Sequence, residues 1–233
     1  MFPSAAYLNL AGWFHLGFFG VYLPIMAARN RKKVLGSGGA LPDRLRHFQR
    51  TALEVGLLAI CSLLVARVQR IELFPLAFPP LGAVIAGVVA YAAAVAYMRP
   101  NWRRAVERRA RVVHLFMPSN MRERIWWIIV AVIAGVGEEI TWRGTQAALV
   151  GALTGSFWAA SLVCSITFGL VHIVQGWKSA ALIVVFALGF HLLVWLAGSL
   201  YVAMAVHVAY DLTVGISYER LGKQLGYDPA QGC

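Results

Sequence analysis

The stretch Gly137-Glu138-Glu139-Ile140-Thr141-Trp142-Arg143-Gly144 puts two adjacent carboxylates and a guanidinium within six positions. It follows the apolar run 125–134, which reads as the first half of a membrane helix. An ionisable residue at the centre of a spanning helix costs about 3 kcal/mol on insertion scales. Three together call for a site facing the interior of a bundle, not lipid. Glu139 and Arg143 are four apart, acid before base, so on a helix they share a face and neutralise each other. Glu138 is rotated by roughly 100° from Glu139 and has no cation on its own helix. Glu139–Arg143 therefore reads as internal support, and Glu138 as the acid left for chemistry. The competing reading of the motif is a purely structural ion network.

Few other ionisable groups interrupt the apolar runs. Phe168 and His172 are four apart in one run, as are His207 and Asp211 in another, so each pair shares a helix face. His191 stands alone and reads as a packed histidine. One carboxylate and two imidazoles from three separate helices, with a carboxyl one turn from one of them, suit hydrolysis at neutral pH. Glu138 can hold and deprotonate a water. His172 can share that water or pass on its proton. His207 can donate to the oxyanion of a tetrahedral intermediate, while Asp211 can orient His207 or donate itself if protonated. Gly137 and Gly144 flank the acids and permit close helix approach.

The elements that must position these groups are membrane helices. Of 233 residues 60% are hydrophobic and 13% charged, whereas soluble domains carry about 25% charged residues. The fold class expected is all-α, a polytopic transmembrane helix bundle of about seven spans. It forms a single integral-membrane domain over 1–233: three N-terminal spans within 1–100, a basic amphipathic helix on the cytoplasmic surface at 101–124, and core spans within 125–217. Span one covers residues 5–28, with no Lys or Arg before it to make the charged n-region of a signal peptide. Gly36-Ser37-Gly38-Gly39 marks a flexible loop after it. Span two covers 51–66. Span three covers 73–98, its entry kinked or extended by Pro75, Pro79 and Pro80. Span four covers 125–150, span five 157–174, span six 180–197 and span seven 200–216.

The net charge of +11 does not signal a nucleic-acid partner, because the basic residues cluster between apolar runs. Placing the N-terminus outside and the C-terminus in the cytoplasm puts 18 of the 21 Lys and Arg in cytoplasmic segments, as the positive-inside rule requires. By these boundaries Glu138 lies about 20 Å into span four while His172 sits near the cytoplasmic end of span five. The two depths meet only if span four starts deeper or span five continues through Gln175. Cys61, Cys164 and Cys233 form no CxxC pair and suggest no disulfide framework.

Taken in order, Glu138-Glu139-x-x-x-Arg143, Phe168-x-x-x-His172 and His207-x-x-x-Asp211 resemble the motifs of the CPBP family. That family comprises CAAX proteases and bacteriocin-processing enzymes, also called Abi proteins, which are intramembrane glutamic endopeptidases. The resemblance covers roughly residues 125–216. It implies that Glu138 and His172 activate water, that His207 and the residue four later form the oxyanion site, and that Arg143 holds the acidic pair. The last motif often carries Asn; here it is Asp211, which donates only if protonated or else acts through His207. No cofactor is implied, and the expected substrate is a membrane-associated peptide or protein tail at a bacterial cytoplasmic membrane. A prenylated CAAX tail is the family's eukaryotic use and is not the substrate expected of a bacterial protein; peptide export, sorting-signal removal and sensor processing are open alike.

Three other readings compete. Glu138, His172 and His207 would make an acceptable catalytic zinc set, with Asp211 behind His207, although HExxH is lacking. A proton-coupled carrier would also bury Glu and His, but no paired halves or matching broken helices occur. A non-catalytic scaffold of the same fold, such as an immunity-type protein, would bind a membrane partner without cutting it.

Overall fold

The computed structural model describes residues 8–35 and 43–227; Gly36–Gly39 and Cys233 lie outside them. Ten α-helices follow in order: α1 (Leu10–Gly17), α2 (Leu23–Leu35), α3 (Arg44–Val68), α4 (Leu81–Glu107), α5 (Arg111–Phe116), α6 (Met121–Glu138), α7 (Ala147–Thr154), α8 (Phe157–Val171), α9 (Trp177–Ala197) and α10 (Tyr201–Gln224). π-helical segments join α1 to α2 (Phe18–Tyr22) and α6 to α7 (Glu139–Gln146), and a 3-10 turn (His172–Gln175) extends α8. No strand occurs among the described residues, so the chain is an all-α polytopic bundle.

Among the described residues six stretches are long and apolar enough to cross a bilayer: Leu10–Arg31, Arg44–Val68, Leu81–Glu107, Met121–Thr154, Phe157–Gln175 and Trp177–Ala197. The expected seventh span is α10. It falls outside the six because His207, Tyr210 and Asp211 interrupt its apolar surface, yet it runs the bundle's length. Tyr201 Oη donates to the Pro75 carbonyl at one end (3.0 Å). Glu219 takes Arg124 Nε at 3.0 Å near the other. Its 24 residues make about 36 Å of helix, enough to span.

The basic segments meet at one end of the bundle. Arg44 Nε lies 3.2 Å from the Glu123 carboxylate, and the Arg31 guanidinium sits over the Trp177 ring. Helices that alternate in direction between loops of unequal charge must converge this way.

Two expectations are corrected. Residues 101–124 are not one surface amphipathic helix. Residues 101–107 continue α4 past Pro100, α5 is a separate short helix, and α6 already begins at Met121. The apolar face expected to lie on the membrane is instead internal: Trp102, Val106 and Val113 are buried in one cluster with Phe48, Trp127 and Tyr218. A packed aromatic core buries that face more completely than a lipid interface does. Span three starts at Leu81, not Leu73, with Pro80 at its N-cap. Prolines fix φ and remove backbone donors, so the chain reaches that helix in extended form.

The helix carrying the acids is the bundle's centre. Of its most apolar stretch 56% is buried inside the protein, against 11% for Leu81–Glu107.

Candidate active site

Glu138 closes α6 and Glu139 opens the π segment. π-helical turns are rare and concentrate where a regular ladder is interrupted for function; here the turn carries both Glu139 and Arg143. Glu139 is wholly buried, and its Oε1 lies 3.1 Å from Arg143 Nη1. Arg143 is 4% exposed, and its guanidinium lies between two rings, 4.5 Å from the centre of Phe168 and 5.2 Å from that of Phe190. A flat, weakly hydrated cation suits such a slot. Glu138 is partly accessible.

α10 brings His207 to the acids. Its Nδ1 lies 2.8 Å from Glu139 Oε1. A carboxylate only accepts, so Nδ1 carries the proton and donates it. On the other side of the ring, Nε2 is 3.8 Å from Glu138 Oε2 and 3.7 Å from Asp211 Oδ2. Both exceed direct hydrogen-bond length, so Nε2 stays free for a third partner. Asp211 therefore is not the hydrogen-bonded orienter of His207; Glu139 holds that place. The i,i+4 spacing brings Asp211 near the ring, but the partner at 2.8 Å comes from another helix.

His172 ends α8. Its Nδ1 donates to the Phe168 carbonyl at 2.9 Å, and its ring packs 4.4 Å from that of Phe168. Nε2 is then the nitrogen with a free lone pair. A 3-10 turn continues α8 through Gln175, one of the two ways by which the depths of Glu138 and His172 were expected to meet. Glu138, Arg143, Phe168, His172, His207 and Asp211 all line one cavity of about 760 Å³. Within it the structure pairs Glu138, Asp211 and His207 closely, while His172 stands on the wall without an ion pair to Glu138. His191 is 1% exposed and its ring nitrogens have no partner among the described residues; it stays outside the lining.

Close packing makes this convergence possible. A Cβ on Gly135 would lie 2.6 Å from the backbone N of Val208, beside His207, so α6 and α10 touch backbone to backbone there. Trp127 Nε1 donates to the Asp211 carbonyl at 3.1 Å and pins the same register. Gly137 packs on Ala59 of α3 and Gly144 on Leu73 and Leu200, the close approach expected of them.

Sequence reasoning missed Phe190, which faces both Arg143 and the His207 ring (5.2 Å between centroids). A phenylalanine in an apolar helix gives no signal of this. Gly135 also escaped notice; its spacing three before Glu138 was the available clue. No three His, Cys, Asp or Glu side chains among the described residues are grouped so as to hold a metal ion.

Residues 120–213 match the family described as type II CAAX prenyl endopeptidase Rce1-like. No curated protein and no solved structure matches the chain.

Proposed function

We propose that this integral membrane protein is a glutamic-type protease working on a water held by Glu138; the match of residues 120–213 to the Rce1-like CAAX protease family supports an endopeptidase in general terms. The observation that carries the reading is His207: its Nδ1–H is spent on buried Glu139 while Nε2 stays open beside Glu138 and Asp211 in a large cavity.

Glu138 takes a proton from the water as its oxygen attacks the scissile carbonyl carbon. The carbonyl oxygen becomes an oxyanion and accepts from Nε2–H of the protonated His207, whose charge Glu139 offsets. When the C–N bond breaks, the proton on Glu138 passes to the leaving amine, directly or through His172 Nε2. Arg143 holds Glu139, so that Glu139 orients the imidazole and does not itself take the water's proton. Asp211 in protonated form adds a second donor to the oxyanion, or as an anion supports the imidazolium. No metal enters this scheme.

The substrate is a membrane-associated peptide or protein tail, delivered to the cavity from the basic end of the bundle. We place that end in the cytoplasm of a bacterial cell, with the N-terminus outside. The family's printed name points to a prenylated CAAX tail, and unlipidated tails fit the same chemistry.

The test compares protein termini in membranes from cells carrying the wild-type chain or Glu138→Gln. New termini present only with the wild type support proteolysis. Identical termini, with both proteins folded and inserted, would leave a partner-binding scaffold as the reading.

A further inference from the structure

The site-bearing π segment is gripped from behind by a second polar cluster, built by helices that the family match, which begins at 120, does not include. His15 of α1 is completely buried. Its Nδ1 lies 2.7 Å from Gln146 Oε1 and its Nε2 3.0 Å from Ser62 Oγ of α3. Ser62 Oγ is also 3.0 Å from Thr141 Oγ1. Thr145 Oγ1 donates to the Ser62 carbonyl at 3.1 Å. Ser62 and Thr145 are fully buried, Gln146 is 1% exposed and Thr141 3%. The ring partner one turn on, Phe19, is itself buried against Trp142 of the same segment, 5.7 Å between centroids.

This cluster has the right geometry to set the segment's register. Thr141 and Thr145 each stand two positions after an ionisable residue, Glu139 and Arg143, which at about 100° per residue is the opposite side of the helix. One side of the segment therefore faces His207 and the cavity, and the other is tied to α1 and α3. A π turn has fewer intrinsic advantages than an α turn and persists where its surroundings over-determine it. The hydrogen bonds also assign one donor: Gln146 Oε1 accepts from Nδ1–H, while Nε2 lies within hydrogen-bond reach of the Ser62 hydroxyl, whose oxygen is also 2.9 Å from the Leu58 carbonyl. Both nitrogens of His15 are used within the network, and none points to the cavity.

We propose that His15, with Ser62 and Gln146, is a positioning device that holds residues 139–146 in π-helical register and so fixes where Glu138 and the Glu139–His207 pair stand. The first helix thereby becomes part of the catalytic unit. The proposal rests on the protease reading for its kinetic consequence, but its structural consequence stands alone.

The experiment measures amide hydrogen exchange of 139–146 and cleavage of the peptide identified by the terminus comparison, on the full chain in bilayer nanodiscs. His15→Leu is expected to speed exchange of those amides about tenfold, the loss of about one hydrogen bond. It should lower kcat about 100-fold, the cost of a displacement near 1 Å, with KM unchanged within about twofold. His15→Gln keeps one donor and one acceptor and should restore both. The double variant His15→Leu/Gln146→Leu removes both polar partners, so thermal stability should return towards wild type while exchange stays fast and kcat low. Unchanged exchange in His15→Leu overturns the proposal; so does full recovery of kcat in the double variant, which would mean the network serves stability alone. If His15→Leu does not fold, Ser62→Ala and Thr145→Val carry the same comparison with smaller losses, and normal exchange in both overturns it. Faster exchange alongside a wild-type chain that cuts nothing would remove the protease reading and leave the register assignment in place.

Discussion

Arg143 shows why a buried cation belongs to the site and not to the lipid. It is 1% exposed at the side chain, opposite a fully buried Glu139. Removing one member of such a pair strands the other. Arg143→Met should therefore destabilise the protein by about 3–5 kcal/mol, read as thermal unfolding in detergent. Arg143→Lys keeps the charge but not the flat face between Phe168 and Phe190, so it should recover part of the stability and little of the activity. Equal activity in Arg143→Lys and wild type would show that charge alone suffices. At this scale the sequence was informative where polar residues broke an apolar background: Glu138, Glu139, Arg143, His172, His207 and Asp211 all line or adjoin one cavity. It was silent on partner choice. The spacing suggested Asp211 as the orienter of His207, whereas Glu139 takes that hydrogen bond, because a bond between helices depends on their relative depth and rotation.

Among elements, α6 and α10 decide whether the site exists. They meet where Gly135 leaves no room for a Cβ against the Val208 backbone. Gly135→Ala forces one helix back, and overpacking of this kind costs about 1–3 kcal/mol. It should also lengthen the Glu139–His207 bond and depress kcat more than KM, measured on the folded variant. Unchanged kinetics would mean that the helices accommodate the methyl elsewhere. Helix boundaries were legible wherever Gly, Pro or Ser punctuated the apolar runs, as at Gly198, whose left-handed φ of 63° ends α9. They were illegible at 101–124, where a basic amphipathic pattern suits either a membrane surface or a buried face. The π segment had no visible cue beyond its unusual polarity, since Thr141, Thr145 and Gln146 look like ordinary helix residues until their partners on α1 and α3 are seen.

At the scale of the whole molecule, alternating charge and hydropathy gave the class of fold and the common end at which the basic segments meet. It overstated the apolarity of α10, whose surface is given up to the site. Because the described residues offer no grouped metal ligands, exhaustive treatment with a chelator should leave cleavage unchanged. Loss of activity that zinc restores would revive the metalloprotease reading. Accessibility labelling of single cysteines placed at Leu115 and Leu76 should mark opposite faces of the membrane, the first cytoplasmic; labelling of both from one side would contradict the topology.

The whole account turns on Glu138 as the residue that removes a proton from the attacking water. The most direct measurement is the single-turnover rate of peptide cleavage by reconstituted Glu138→Gln protein, folded to the same unfolding temperature as the wild type. The rate should fall by about 10³-fold or more, general base catalysis and water positioning being lost together. A Glu138→Gln protein that still cuts within about tenfold of the wild-type rate contradicts it, since a single general base contributes at least about 10²-fold.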